Sequence, residues 1–187
     1  MFDKAVRCDL LWAPGLSETV DVSQRWILTA MERHGSELVT MLWRILGNEQ
    51  DVCDAYQTTF LQLAHRDDRR QPRHIKAYLF RTASNAAITM LRRRVVESRT
   101  LSEMEIRAQH AESTEPDFDA RRLTERLRSL IAELPDPLRS VIALRDLGEL
   151  PYEEVARTLH ISTGTARVYR CKAVQLLAAW MNREEQP

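Results

Sequence analysis

The stretch Pro151-Tyr152-Glu153-Glu154-Val155-Ala156-Arg157-Thr158-Leu159-His160-Ile161-Ser162-Thr163-Gly164-Thr165-Ala166-Arg167 decides the fold of this 187-residue chain. Val155, Ala156 and Leu159 share one face of a short helix, and His160-Ile161-Ser162 interrupts it. Thr163 then opens a second helix carrying Arg167, Arg170 and Lys172, with no acid before Glu184. That is a helix-turn-helix pattern. Small Ala156 lets the helices approach closely, Ile161 can fill the space beneath the turn, and Ser162 can accept a hydrogen bond from a free amide as an N-cap. The pattern predicts a unit that binds duplex DNA.

Upstream, Leu123, Leu127, Leu130, Ile131 and Leu134 predict a helix stopped by Pro135. Pro137 suits the first position of the next, which carries Leu138, Val141, Ile142 and Leu144. Residues 97–118 are polar, acidic and weakly periodic, and read as a linker. Before them, Ile75, Tyr78, Leu79, Thr82, Ala83, Ala86, Ala87, Met90 and Leu91 predict one long helix running into Arg92-Arg93-Arg94. Val52, Ala55, Tyr56, Thr59, Phe60 and Leu63 predict another, opened by Asn48 or Asp51. Trp26, Ile27, Ala30 and Met31, then Leu38, Met41, Leu42, Ile45 and Leu46, predict two helices or one broken at Gly35, ending at Gly47. The expected fold is therefore all-α: two small helical domains joined by a flexible linker. The expected boundaries are an N-terminal extension at 1–22, a first domain at 23–96, the linker at 97–118 and a helix-turn-helix domain at 119–182.

Lys and Arg total 27 and so do Asp and Glu, and a net charge of zero alone argues against a nucleic-acid binder. Distribution matters more than the sum. Residues 65–99 hold ten Lys and Arg against three acids, whereas residues 100–126 hold seven acids against four Arg. Cys8, Cys53 and Cys171 are far apart and lack the close pairing of a zinc site, which points to a reduced cytoplasmic chain with no metal. The start of the chain is too short in apolar residues for a secretory signal, and no stretch is long enough for membrane insertion. His34, His65, His74, His110 and His160 are scattered, and no phosphate-binding glycine loop, nucleophile motif or cofactor motif is present. The expectation is a protein that is not an enzyme and has no cofactor.

Two sets of residues resemble a known family, the extracytoplasmic-function sigma factors of bacterial RNA polymerase. Leu134-Pro135-Asp136-Pro137-Leu138-Arg139-Ser140-Val141-Ile142-Ala143-Leu144-Arg145-Asp146-Leu147, with the segments starting at Leu150 and Ile161, is similar to the family's fourth region. Arg33-His34-Gly35, Leu46-Gly47, residues 51–61 and residues 77–85 are similar to its second region. One helix-turn-helix is a weak signal, but both sets in this order, across roughly residues 26–177, are specific.

The resemblance implies a transcription initiation factor that binds core polymerase at the clamp helices of its largest subunit and at its flap, with an anti-sigma factor as a further partner. Asp51, Asp54, Gln57, Thr58 and Phe60 would meet the polymerase. Cys53 and Thr58 stand where relatives usually carry acids. The resemblance further implies that the first domain opens promoter DNA at the minus-ten element through Arg73, Lys76, Arg81, Ser84, Asn85, Ile88, Arg92 and Arg93, with Thr89 replacing a usual aspartate. Melting needs a basic surface for the displaced strand and new stacking and hydrogen bonds for an unstacked base. The second domain would read the minus-thirty-five element through Ser162, Thr163, Gly164, Thr165, Arg167, Val168, Arg170, Cys171 and Lys172. Gly164, Arg167, Val168, Cys171 and Lys172 share one helical face, and Arg167 suits bidentate contact to guanine. Arg170 occupies a position that is usually apolar and inward, so that Tyr169 packs instead or the helix is rotated.

Plainer readings stand beside these. Arg92-Arg93-Arg94 can be a solvated helix end that suits the dipole, and Asp51 and Asp54 can simply start a helix. Trp12, Trp26, Trp43 and Trp180 read as core or domain-contact residues rather than base-stacking platforms. Two rival functions remain: a sigma-like decoy that only binds an anti-sigma factor, and a dimeric helix-turn-helix repressor.

Overall fold

The apolar stripe that begins at Trp26 passes through Gly35 without a break, forming a single helix, α1 (Arg25–Leu46). Gly35 is where α2 comes closest, since a Cβ there would lie 3.2 Å from the Tyr56 hydroxyl. Gly47 ends α1 in the left-handed region at φ 77°, donating its amide to the Trp43 carbonyl at 2.9 Å. Asn48 then caps α2 (Glu49–Ala64), its Oδ1 accepting the Asp51 amide at 2.9 Å. The computed structural model describes residues 25–65, 72–105 and 116–183, with side chains for 25–65, 72–97 and 120–183. The N-terminal extension expected at 1–22 and much of the basic loop lie outside the described residues.

Helix α3 (Ile75–Glu105) runs beyond the Arg92-Arg93-Arg94 run to Glu105, well into the stretch expected as a linker. Residues 106–115 of that stretch are outside the described part, and α4 (Pro116–Glu133) begins before its expected end. Helix α5 (Asp136–Ile142) starts one residue before Pro137. It widens into a π-helical turn (Ala143–Leu147), closed by the Gly148 amide on the Ala143 carbonyl at 2.9 Å. Helices α6 (Tyr152–Leu159) and α7 (Thr163–Arg183) form the helix-turn-helix, and no strand occurs among the described residues.

Helices α1, α2 and α3 pack together through Leu38, Met41, Leu42, Ile45, Val52, Leu63, Leu79 and Phe80, each at most 1% exposed. Burial of each such side chain stabilises by roughly 1.5–3 kcal/mol. The same apolar cluster continues into the second module through Ala132, Val141, Leu144, Leu150 and Val155. A smaller cluster of Leu130, Ile131, Leu134, Ile142, Ala173 and Leu177 holds α4, α5 and α7 together. Trp26 and Trp43 pack on the first cluster and Trp180 on the second, as expected for core residues.

Arg139 is buried at the joint between α4 and α5. It donates to the Ala132 carbonyl at 3.0 Å and the Leu134 carbonyl at 2.7 Å, and pairs with Asp136. Burial, and then the neighbouring Arg92, lower its pKa to about 10, so it stays charged at neutral pH.

His34 of α1 sits where both modules meet, near Lys76 of α3 and Glu154 of α6; its Nδ1 and Glu154 Oε2 are buried without hydrogen-bond partners. Burial, then Lys76 and Arg33, push its pKa below the ordinary 6.5 against the opposing pull of Glu37 and Glu154. The unfolded chain therefore takes up this proton at a higher pH than the folded chain. The stability present above 6.5 is lost as the pH falls toward the lowered value. In urea denaturation between about pH 7.5 and pH 5.5, His34→Gln should lose less stability than the parent, and equal losses would refute this assignment.

Candidate nucleic-acid interface

Ser162 fixes where the recognition helix starts. Its Oγ accepts the Thr165 amide at 3.0 Å and lies 2.8 Å from Thr165 Oγ1, so it is the expected N-cap of α7. Before it, His160 adopts a left-handed conformation at φ 56°, and the Ile161 amide reaches back to the Ala156 carbonyl at 3.0 Å. Ile161 packs beneath the turn against the core, and Ala156 is 5% exposed where the two helices meet.

This start sets the phase of α7. Gly164, Arg167, Val168, Cys171 and Lys172 are all exposed, while Ala166, Ala173 and Leu177 are buried on the opposite side. Val168 is 50% exposed, an apolar surface of the kind that meets a thymine methyl. Thr163 and Thr165 are half-buried at the first turn. The Arg167 guanidinium lies 5.3 Å from the centre of the Tyr152 ring and that of Arg145 lies 4.9 Å from it, cation–π contacts that pre-orient Arg167.

Arg170 points elsewhere. Its Nε donates to the Asp146 carboxylate at 2.8 and 3.0 Å and its Nη2 lies 2.7 Å from the same group, an arrangement that raises the Arg170 pKa. The inward position occupied by an arginine is thus explained by an acid supplied from the π-helical turn. Tyr169 packs on the core as well, and α7 keeps the phase read from the sequence.

In the first module, Arg81, Ser84, Ile88 and Arg92 share one face of α3, and Asn85 and Arg73 are exposed. Ser84 is 2% and Ile88 6% exposed, whereas Arg81 and Arg92 are exposed; Arg81 donates to the Thr158 carbonyl of α6 at 2.9 Å, and Arg92 donates to the Ala132 carbonyl at 3.2 Å and pairs with Asp136 at 3.1 Å. Lys76 pairs with Glu37 at 2.7 Å and Arg93 with Glu97 at 2.7 Å.

On α2, Asp54 and Gln57 are exposed, Thr58 is half-buried and Phe60 packs against the core. Asp51 is engaged by Arg94 and by Asn48 Nδ2, which donates to it at 2.8 Å. Leu61, 52% exposed one turn beyond Gln57, belongs to the same surface and was missed. Its signal was available: an apolar residue in register with the polar positions 54, 57 and 58 rather than with the core stripe. Cys53 is half-buried and Cys171 exposed. Among the described residues, no group of three or more His, Cys, Asp and Glu could hold a metal, and no helix is long and apolar enough to cross a membrane.

Sigma-70 region 2 matches residues 30–96 and sigma-70 region 4 matches residues 124–177. The chain is a sigma factor of the sigma-70 family, of the extracytoplasmic-function type. It is 29% identical over 140 residues to the ECF RNA polymerase sigma factor SigE of Mycolicibacterium smegmatis, a match that covers 73% of the chain and spans only 54% of that relative's length. It is 23% identical to RNA polymerase sigma factor SigV of Bacillus subtilis, covering 85% of this chain and 93% of SigV. It is 28% identical to ECF RNA polymerase sigma factor SigM of the same organism, covering 70% of this chain and 79% of SigM. Among solved structures, CnrH in complex with the cytosolic domain of CnrY superposes with a TM-score of 0.53 at 25% identity, over 86% of this sigma factor and 90% of that chain.

The Arg170–Asp146 pair gives a test. Arg170→Ala and Asp146→Ala should each lower stability by up to about 1 kcal/mol, and the double variant should lose little more than either. The salt dependence of DNA binding should stay unchanged in Arg170→Ala; a decrease of roughly 0.9 in the slope of log affinity against log salt would instead make Arg170 a phosphate contact.

Proposed function

We propose that this sigma factor binds core RNA polymerase through the α2 surface of Asp54, Gln57 and Leu61, reads an upstream promoter element with α7, and opens the downstream element with α3. The observation that carries the reading is the exposed α7 face, where Ser162 sets the helix phase and Tyr152 holds Arg167 toward solvent beside exposed Val168 and Lys172. A guanidinium so held is ready for bidentate contact with guanine in the major groove. The order of the two sigma regions along the chain supports a bipartite promoter element over the single palindrome of a dimeric repressor.

Asp54 is exposed in the body of α2, as Glu49 is at its start, whereas Asp51 is tied to Arg94. With Gln57 and Leu61 it offers a mixed acidic and apolar strip that complements a basic coiled coil. The flap contact falls to the second domain, and an anti-sigma factor is the regulatory partner. The bound state of CnrH, which carries the cytosolic domain of CnrY, supports a polypeptide partner of that kind.

Run-off transcription with core enzyme on a library of promoter fragments tests the whole reading. Transcripts that depend on this protein are expected; their absence despite stable binding to core enzyme would favour a decoy. Asp54→Lys should weaken core-enzyme binding in a titration while leaving stability nearly unchanged, and undiminished affinity would move the docking surface off α2. Arg167→Ala should relax base preference at one upstream position, costing about 1–3 kcal/mol on the preferred sequence and little on others. A randomised upstream element reads that preference directly; an unchanged profile would remove Arg167 from base reading.

A further inference from the structure

The reading face of α7 has a cation on either flank, and the rest of the module treats the two differently. Residues of an α-helix follow one another at about 100° around the axis, so that from Arg167 the exposed Val168 and Lys172 lie one way and Arg170 lies about 60° the other way. A helix about 10–12 Å across in a major groove about 12 Å wide has a row of phosphates on each side. Long side chains at the flanks are the ones that reach them. Lys172 is exposed on its flank, and Arg170 has 41% of its side chain exposed on the other.

The π-helical turn supplies two adjacent residues, Arg145 and Asp146, that act on the two neighbouring arginines of α7. Arg145 donates to the Leu150 carbonyl at 3.2 Å and lies 4.9 Å from the centre of the Tyr152 ring, to which Arg167 comes within 5.3 Å. Asp146 takes Arg170, through Nε at 2.8 and 3.0 Å and Nη2 at 2.7 Å. A guanidinium on an aromatic ring keeps its edge for hydrogen bonds, whereas one gripped by both oxygens of a carboxylate has that edge occupied. To meet a phosphate, Arg170 must leave the carboxylate. That step exchanges one charged acceptor for another and leaves Asp146, itself 30% exposed, as an unpaired negative charge beside the DNA backbone.

We propose that Asp146 is a positioning residue that withholds Arg170 from the DNA backbone, and so sets how strongly α7 grips DNA of any sequence without altering which base Arg167 reads. The proposal rests on the reading of α7 as the helix that meets the upstream promoter element. Phosphate contacts carry no sequence information, so a phosphate contact withheld weakens binding to all sequences alike. Discrimination stays with Arg167 and the residues beside it.

The test uses holoenzyme assembled from core polymerase and the full chain, with Asp146→Ala, Asp146→Glu, and Asp146→Ala combined with Arg170→Ala. Fluorescence anisotropy on duplex fragments with a randomised upstream element, from about 50 to 200 mM salt, reads affinity, salt slope and base preference together. Asp146→Ala should steepen the slope of log affinity against log salt by roughly 0.9 and tighten binding about fivefold near 0.15 M salt, with the base preference unchanged. Asp146→Glu, which keeps a carboxylate, and the double variant should both return to the parent slope. A pair that only braces the helix would give the opposite result, weaker binding in Asp146→Ala, and that outcome overturns the proposal. So does a steep slope that persists in the double variant, since it would come from the lost acid and not from Arg170. Arg167→Ala in the same assay separates this failure from that of the underlying reading. A changed preference there beside a parent-like slope in Asp146→Ala overturns the proposal alone, whereas an unchanged preference overturns the reading of α7 and the proposal with it.

Discussion

The carbonyl groups at the C-terminal ends of these helices have no partners within their own helices, and arginines from elsewhere in the chain supply them. The end of α1 receives Arg94 at Leu46 and Arg128 at Trp43 and Arg44. The end of α4 receives Arg139 and Arg92 at Ala132, the end of α6 receives Arg81 at Thr158, and the π-helical turn receives Arg44 at Leu147. A guanidinium suits this position twice over, because its planar fork can meet two acceptors at once and its charge complements the negative end of the helix dipole. Chain ends that would otherwise need water become the places where elements dock. Arg94 ties α3 to the end of α1, Arg139 ties α5 to α4, and Arg44, Arg81, Arg92 and Arg128 tie one module to the other.

That use of arginine bears on how a chain of zero net charge places its positive groups. Part of the positive charge is paired within the molecule, with carbonyls and with the carboxylates of Glu37, Asp51, Asp136, Asp146 and Glu149. On α7, Arg167 and Lys172 stay outward beside the apolar Val168, with Arg183 at the far end of the helix. Such a surface gives up non-specific phosphate attraction, which scales with the number of neutralised phosphates, and relies on shape and base contact.

Local chemistry made much of the fold legible in the sequence. The 3.6-residue stripes located each helix core, and Asn48, Ser162, Gly47 and Pro135 marked helix ends because their capping roles depend on residue type alone. Other features were hidden for physical reasons. Gly35 suggests a break, yet α1 continues because the glycine answers the close approach of Tyr56, a contact from another helix. The continuation of α3 to Glu105 lacks an apolar stripe, so periodicity gave no sign of it. Glu149 and His160 take left-handed conformations at φ 55° and 56° that residue type would have assigned to glycine, and a glycine stands next to the first of them, at 148, without using it. Of the site, Arg167 and Val168 could be placed by phase along α7, whereas the partner of Arg170 could not, because Asp146 comes from a different element.

The least legible feature is also the one that links fold to function: which polar residues face the other module. An arginine on a helix face reads the same in sequence whether it awaits a phosphate, a carboxylate or a carbonyl. The family resemblance implies that Arg81 and Arg92 meet DNA, and their spacing on α3 lets them reach the ends of α6 and α4 together. The two uses follow from one geometry, because a row of helix-end carbonyls is a weak imitation of a row of phosphate oxygens: negative, outward-facing and accepting hydrogen bonds. A guanidinium that meets a carbonyl in this way can meet a phosphate as well, since a charged acceptor makes the stronger hydrogen bond.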